Sequence, residues 1–321
     1  MKKSFLMLGV AAMALASCTQ NEVVEYADSR AIQFDNAFVN NSTRAEITGV
    51  GNLAGFYVFA GFGSNTSNVY NNTLVTRGGD SGSYTWTPAY VAYWQDGENY
   101  TFDAYAANAK IDDASVGTDG KLKFTDVVLT DGTNDILVAE TGVSTVDASN
   151  TSAVELTFSH TLSKVKFTFE TAIENVNFTI KRVSFNDVVN KGSYAGGVWT
   201  AASDKQAYNF GDCSAVVTNE AGQSTQALIV LPQQLSNTQT VTFILSATGA
   251  LALDERTLTA KLPSFDLQEG YSYNFVATLT SENISTDPDD PDVSLKPIEF
   301  TINESTGISG WTDGGSSDLE D

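Results

Sequence analysis

Short apolar runs of period two, broken every few residues by turn clusters, constrain this chain more than any other feature. Ala31-Ile32-Gln33-Phe34-Asp35-Asn36-Ala37-Phe38 alternates apolar and polar residues. This is the period of a strand with one buried face. Candidate strands recur at short intervals at Gly55–Phe62, Tyr84–Trp86, Tyr90–Trp94, Tyr100–Ala106, Leu122–Leu129, Asp135–Ala139 and Val154–Ser159. A second set follows at Lys164–Glu170, Val176–Phe185, Gly197–Ala201, Ala227–Leu231, Thr240–Ala247, Thr257–Leu262 and Tyr271–Leu279. Turn clusters such as Arg77-Gly78-Gly79-Asp80-Ser81-Gly82 and Thr130-Asp131-Gly132-Thr133-Asn134 separate them. No stretch has the 3.6-residue period of a helix. The pattern predicts an all-β chain of two β-sandwich domains, with a boundary near residue 160.

Composition narrows the function classes. The chain has 321 residues, of which 42% are hydrophobic and only 17% charged. Its formal net charge is −22, from 39 acidic and 17 basic residues. A nucleic-acid binder needs a basic footprint, so no nucleic-acid partner is expected. One histidine and two cysteines cannot supply the four ligands of a structural zinc site. No metal and no cofactor are expected. His160 has no nucleophile motif near it and reads as structural. Cys213 reads as a small buried hydrophobe. No enzyme is expected.

The first residues read as an address. Lys2 and Lys3 precede an apolar run from Phe5 to Ala16, too short to span a bilayer and suited to a signal peptide over residues 1–17. Leu15-Ala16-Ser17-Cys18 matches the bacterial lipobox, in which the peptidase cuts before a cysteine that carries diacylglycerol. Cys18 is the expected lipidation site. Several acyl chains would hold the protein at a membrane surface, at about 0.8 kcal/mol per buried CH2.

The far end repeats the near end. Residues 281–296 are acidic and proline-interrupted, an extended linker. Asp287, Asp289, Asp290 and Asp292 lack the glycine-turned spacing of an EF-hand calcium loop. Beyond them Pro297-Ile298-Glu299-Phe300-Thr301-Ile302-Asn303 again alternates, and Trp311 follows a Gly-containing turn. Ile32-Gln33-Phe34 and Ile298-Glu299-Phe300 are both Ile-polar-Phe. Arg44 lies in a polar loop after the first of them, where a protease can reach. Cleavage at Arg44-Ala45 would free the strand of Ile32, Phe34 and Phe38, exposing an apolar groove with unpaired backbone groups. The strand of Ile298, Phe300, Ile302 and Trp311 from a neighbouring copy can fill such a groove. Such head-to-tail contacts do not close on themselves, so they build a filament. Aromatic residues Tyr84, Trp86, Tyr90, Tyr93 and Trp94 offer another reading, a glycan-stacking platform on a lipoprotein that never polymerises.

These residues together resemble the fimbrillin family, the pilins of type V pili. The similarity runs through Cys18 with Thr19-Gln20-Asn21-Glu22, Asn134-Asp135-Ile136-Leu137-Val138-Ala139 and Phe158-Ser159-His160-Thr161-Leu162-Ser163-Lys164-Val165. It continues through Leu228-Ile229-Val230-Leu231-Pro232-Gln233, Gly270-Tyr271-Ser272-Tyr273-Asn274-Phe275, and Ile298-Glu299-Phe300 with Trp311. The resemblance implies an outer-membrane lipoprotein precursor with two transthyretin-like sandwich domains. It also implies an Arg-specific protease acting at the cell surface, and assembly with other copies or related pilins into a fimbrium for adhesion to host ligands. The expected organisation is a signal peptide (1–17), a lipidated propeptide with the removable strand (18–44), an N-terminal sandwich (45–159), a C-terminal sandwich (160–280), a linker (281–296) and a donor strand with tail (297–321).

Overall fold

A computed structural model describes residues 30–39, 53–80, 83–145, 152–285, 295–303 and 308–310. Cys18, Arg44, Ala45, Asp287, Asp289, Asp290, Asp292 and Trp311 lie outside the described residues, as does the side chain of Phe38. The described residues contain strands and turns and no helix.

The first half comprises β1 (Phe34–Val39), β2 (Gly55–Phe62), β3 (Asn65–Gly78), β4 (Thr85–Pro88), β5 (Asn99–Ala107), β6 (Ser115–Val116), β7 (Leu122–Val128), β8 (Ile136–Thr145) and β9 (Val154–His160). Seven of these strands form a closed hydrogen-bonded ring in the order β1-β4-β3-β2-β5-β8-β9. Phe56, Val58, Ala60, Tyr100, Phe102, Ala104, Leu156 and Phe158 fill its interior. Apolar and polar residues alternate along β9, so that Val154, Leu156 and Phe158 point inward while Glu155, Thr157 and Ser159 face solvent.

β5 does not alternate. Tyr100 through Ala106, apart from half-buried Thr101, are all buried, because both of its faces are covered. Phe102 and Ala104 point into the ring. Tyr105 points outward, into a separate apolar cluster with Phe59, Phe124, Tyr194 and Trp199. That outer cluster lies where the two halves of the chain meet.

The second half holds β10 (Ser163–Thr171), β11 (Val176–Val189), β12 (Lys191–Ala195), β13 (Val198–Ala201), β14 (Lys205–Gly211), β15 (Gln223–Ser224), β16 (Leu228–Val230), β17 (Gln233–Leu235), β18 (Thr240–Gly249), β19 (Leu253–Lys261), β20 (Phe265–Leu267) and β21 (Tyr271–Leu279). The end of the chain adds β22 (Ile298–Glu299), β23 (Thr301–Ile302) and β24 (Ile308–Gly310). One sheet runs β15-β10-β21-β23, with β16 on β10 and β24 on β21. The other runs β14-β11-β18-β19-β22. Their inner faces share a core in which Phe167 meets Phe185 edge-on at 5.5 Å and Phe169 meets Phe243 at 4.8 Å.

A four-stranded sheet, β13-β12-β7-β6, spans the two halves. Gly196 and Gly197 both have positive φ, 59° and 87°, and form the two-residue turn between Ala195 and Val198. Only glycine takes both positions without steric cost. Further ties cross at the same place. Tyr208 donates its hydroxyl to the Leu129 carbonyl at 3.0 Å, and the Ile229 amide donates to the Gly132 carbonyl at 2.8 Å.

Three differences from the sequence reading have physical causes. β3 is 14 residues long, yet its sequence NTSNVYNNTLVTRG is mostly polar. Its only well-buried side chains are Tyr70, Thr73 and Val75, and left-handed Asn72 (φ 48°) interrupts its alternation. β12 and β14 likewise carry only scattered apolar residues. Residues 90–94, expected as a strand, form a loop whose backbone bonds instead run to residues 30–32.

Candidate functional site

The site that matters is the seat of β1. This strand closes the ring by pairing antiparallel to β4 at Phe34–Trp86 and parallel to β9 from Phe34–Val154 to Val39–Phe158. A register shift between Asp35 and Phe38 bends the β9 side. Ile32 and Phe34 are 2% and 5% exposed, while Gln33 and Asp35 face solvent. The Phe34 ring touches Phe56 at 5.6 Å, Tyr70 at 5.9 Å and Phe102 at 6.1 Å. Ile32 and Phe34 thus plug an aromatic-lined slot between β4 and β9. Burying the pair contributes roughly 3–6 kcal/mol before ordering costs are counted.

The head of this segment is clasped separately. The Ile32 amide donates to the Ala92 carbonyl at 2.8 Å, and the Trp94 amide donates to the Arg30 carbonyl at 2.9 Å. The Arg30 side chain is buried; its guanidinium pairs with Asp96 and donates to the Trp94 carbonyl at 3.0 Å.

The expected donor strand sits in the chain's own second half. Ile298 and Glu299 pair parallel to Ala260 and Lys261, at the edge of one sheet. Thr301 and Ile302 pair with Val276 and Phe275 in the other, and Ile308–Gly310 continue along β21. The segment crosses between sheets at Phe300, which packs on Phe167 at 5.1 Å and Phe169 at 5.4 Å. Ile298 and Phe300 are 5% and 2% exposed; Ile302 is half-buried.

The aromatic platform does not survive in the form the sequence allowed. Trp86 and Trp94 are buried in the first core, packed on Phe56 and on Tyr100. Their indoles are structural, and only Tyr90 and Tyr93 of that set face solvent substantially.

His160 and Cys213 are also structural. His160 is buried at the end of β9, with its Nδ1 2.6 Å from Asp135 Oδ2. Asp135 also accepts the Ile136 amide at 2.8 Å, so the pair fixes the start of β8. Burial pushes the Cys213 thiol up to about 12, leaving it protonated and unreactive at neutral pH. Among the described residues no cluster of three or more His, Cys, Asp or Glu could hold a metal. No described helix is long and apolar enough to cross a membrane.

Comparison with known proteins places this architecture. The fimbrillin-like family model matches residues 43–303, most of the chain. The chain belongs to the fimbrillin-like family. It is therefore a structural protein of the pilus and cell-adhesion class, not an enzyme, and its place is a cell-surface appendage. No curated protein matches the sequence. Among solved structures, this chain resembles a fimbrial protein from Bacteroides vulgatus at 17% identity, with a TM-score of 0.60, over 88% of this chain and all of that one. A protein from Bacteroides uniformis assigned to cell adhesion aligns at 15% identity and TM-score 0.52, covering 88% of this chain and 99% of its own. One from Parabacteroides distasonis, also assigned to cell adhesion, aligns at 11% and 0.51, covering 89% and 97%. At these identities the likeness is one of fold. It extends over both halves of the chain.

The sequence pointed to Ile32 and Phe34 as buried strand residues, and the structure puts both in one slot. The clasp at Arg30, Ala92, Trp94 and Asp96 leaves almost no trace in the sequence. Its only sequence sign was a lone arginine two positions before an Ile-x-Phe strand.

Proposed function

We propose that this chain is exported as a lipoprotein with lipid on Cys18, cut after Arg44 by an Arg-specific protease, and polymerised by strand exchange. In this reading β1 is a temporary stave. Its removal leaves the slot between β4 and β9 open, and Ile298, Phe300, Ile302 and Trp311 of a second copy fill it. The assembled fimbrium carries the chain at the outer surface and supports adhesion. The single observation that carries the reading is the seating of Ile32 and Phe34. Two large apolar side chains, from a segment well upstream of β2, complete a ring that is otherwise contiguous from β2 onward. Such a ring without its stave exposes an apolar groove flanked by two unpaired strand edges.

Arg44 suits the cut better than Arg30. Arg30 is buried and bonded to Asp96 and Trp94, which shields its peptide bond. The donor must first leave the second half, where Phe300 is packed, so exchange trades one buried setting for another. The difference then lies in the hydrogen-bonded ladder, at about 0.5–1.5 kcal/mol net per bond.

Treating the purified precursor with an Arg-specific protease tests this. SDS-resistant ladders are expected from the wild type and none from R44A. A chain truncated after Lys296 should accept a neighbour's strand but donate none, and so cap one end of the growing polymer and shorten the ladders in mixtures with full-length protein. A product cleanly cut after Arg44 that stays monomeric would refute the reading.

A further inference from the structure

We propose that Asp96 fixes the register of the incoming strand, accepting Lys296 of a second copy where it holds Arg30 in the precursor. The inference rests on the strand-exchange reading and deepens it.

The match between the two segments is longer than Ile-polar-Phe. Arg30-Ala31-Ile32-Gln33-Phe34 and Lys296-Pro297-Ile298-Glu299-Phe300 share a cation two positions before the isoleucine. Beyond Phe300 the runs diverge. With Ile298 in the place of Ile32 and Phe300 in that of Phe34, Lys296 falls where Arg30 meets Asp96. The proline fits this register too. Ala31 lies opposite Tyr93 in an isolated antiparallel bridge. Its two bonds use the Ile32 amide and the Arg30 carbonyl. The Ala31 amide takes part in neither, so Pro297 at that position gives up neither bond.

Both charges are available for the exchange. In the folded chain the Lys296 ammonium pairs with Glu282 at 2.8 Å, with side chains 72% and 66% exposed. Such an exposed pair is easily given up. Cleavage after Arg44 removes Arg30, and with it the cation that meets Asp96.

The ion pair supplies what the apolar contacts lack. A slip of two residues keeps the same face of the strand toward the slot. It would put Phe300 in the place of Ile32 and carry Lys296 away from Asp96. A charge at the head of the slot therefore separates two registers that the apolar alternation treats alike. The strand so placed runs in the direction of β1, antiparallel to β4 and parallel to β9.

A double-mutant cycle on the processed full-length protein tests this. Wild type, K296E, D96N and D96N/K296E precursors are cut with the Arg-specific protease, and the rate of ladder formation is measured. Lys296 is solvent-exposed and D96N keeps the shape of the side chain it replaces, so circular dichroism should report unchanged folds. K296E should slow assembly about three- to tenfold with Asp96 present and less than about twofold in the D96N background. Any effect of K296E on its own pairing with Glu282 is common to both backgrounds and cancels. An equal effect in both backgrounds overturns the register assignment while leaving strand exchange intact. Failure of the cut wild type to assemble would sink both.

Discussion

Each half of the molecule is completed by a segment from its own end of the chain, and the two completions differ in kind. In the first half, β1 lies between β4 and β9 and is paired on both sides. In the second, residues 298–303 and 308–310 pair as three pieces of two or three residues. They begin at the edge of one sheet and finish on the other. Ile-polar-Phe plugs a core in both places. The first plug keeps one partner, β9, from Phe34 to Val39 with one register shift and meets β4 at Phe34–Trp86, whereas the second divides its pairing between two sheets. A strand held on both edges leaves only after something cuts it free. A segment held piecemeal can be peeled by local opening. The contrast gives each end a role, one that must be removed and one that can be lent.

The largest expected effect concerns the two plugs. F34A and F300A should each destabilise their own half by about 3–5 kcal/mol in denaturant titrations. If F300A left the second half unchanged, the two plugs would not be equivalent and the comparison would fail. Next comes local stability. Native-state hydrogen exchange should find the amides of β1 protected at least about tenfold more than those of β23 and β24. Equal protection would remove the distinction between a clasped stave and a peelable one.

A third test separates the halves by pH. Burial pushes the Tyr70 phenol, beneath β1, up to about 12, and does the same to Tyr208 in the second half. Both are raised above the ordinary value of 10.0, so the folded state holds these protons more tightly than the unfolded chain. Stability linked to them is fully present below about pH 10 and falls as pH rises toward about 12. Absorbance titration of the cut protein freed of β1, before a neighbour's strand refills the slot, should show the Tyr70 phenol returning toward 10.0 while Tyr208 stays near about 12. The smallest effect is expected where the two segments face solvent. Q33A and E299A should each change stability by no more than about 0.5 kcal/mol in the same denaturant titrations.

Much of this was legible because alternation reports burial on one face. Val154, Leu156 and Phe158 in β9, and Val241, Phe243 and Leu245 in β18, stand out in the sequence and lie in the cores. Ile32 and Phe34 were legible for the same reason. What stayed hidden was structure held by backbone bonds rather than by apolar side chains. β3 gets its length from pairing with β2 and β4, and asparagine and threonine residues there carry no period to read. The loop over residues 90–94 looked like a strand because Tyr90-Val91-Ala92-Tyr93-Trp94 is an unbroken run of aromatic and aliphatic residues. Its partner is a short stretch from another part of the chain, which no local pattern announces. The tryptophans misled for a related reason, since a large aromatic side chain in a short run looks alike whether it faces solvent or core. The destination of Phe300 was likewise out of reach, because it depends on a slot formed by Phe167 and Phe169, far upstream in the chain.

The sheet shared by β6, β7, β12 and β13 has a mechanical consequence. Phe124 stacks on Tyr194 at 5.4 Å, and Lys191 pairs with Asp126 at 3.1 Å across the seam. Tension applied to one half therefore reaches the other through a stitched ribbon instead of a slack tether. A fibre built from such units would be stiff within each unit, and its give would sit at the joints between neighbours.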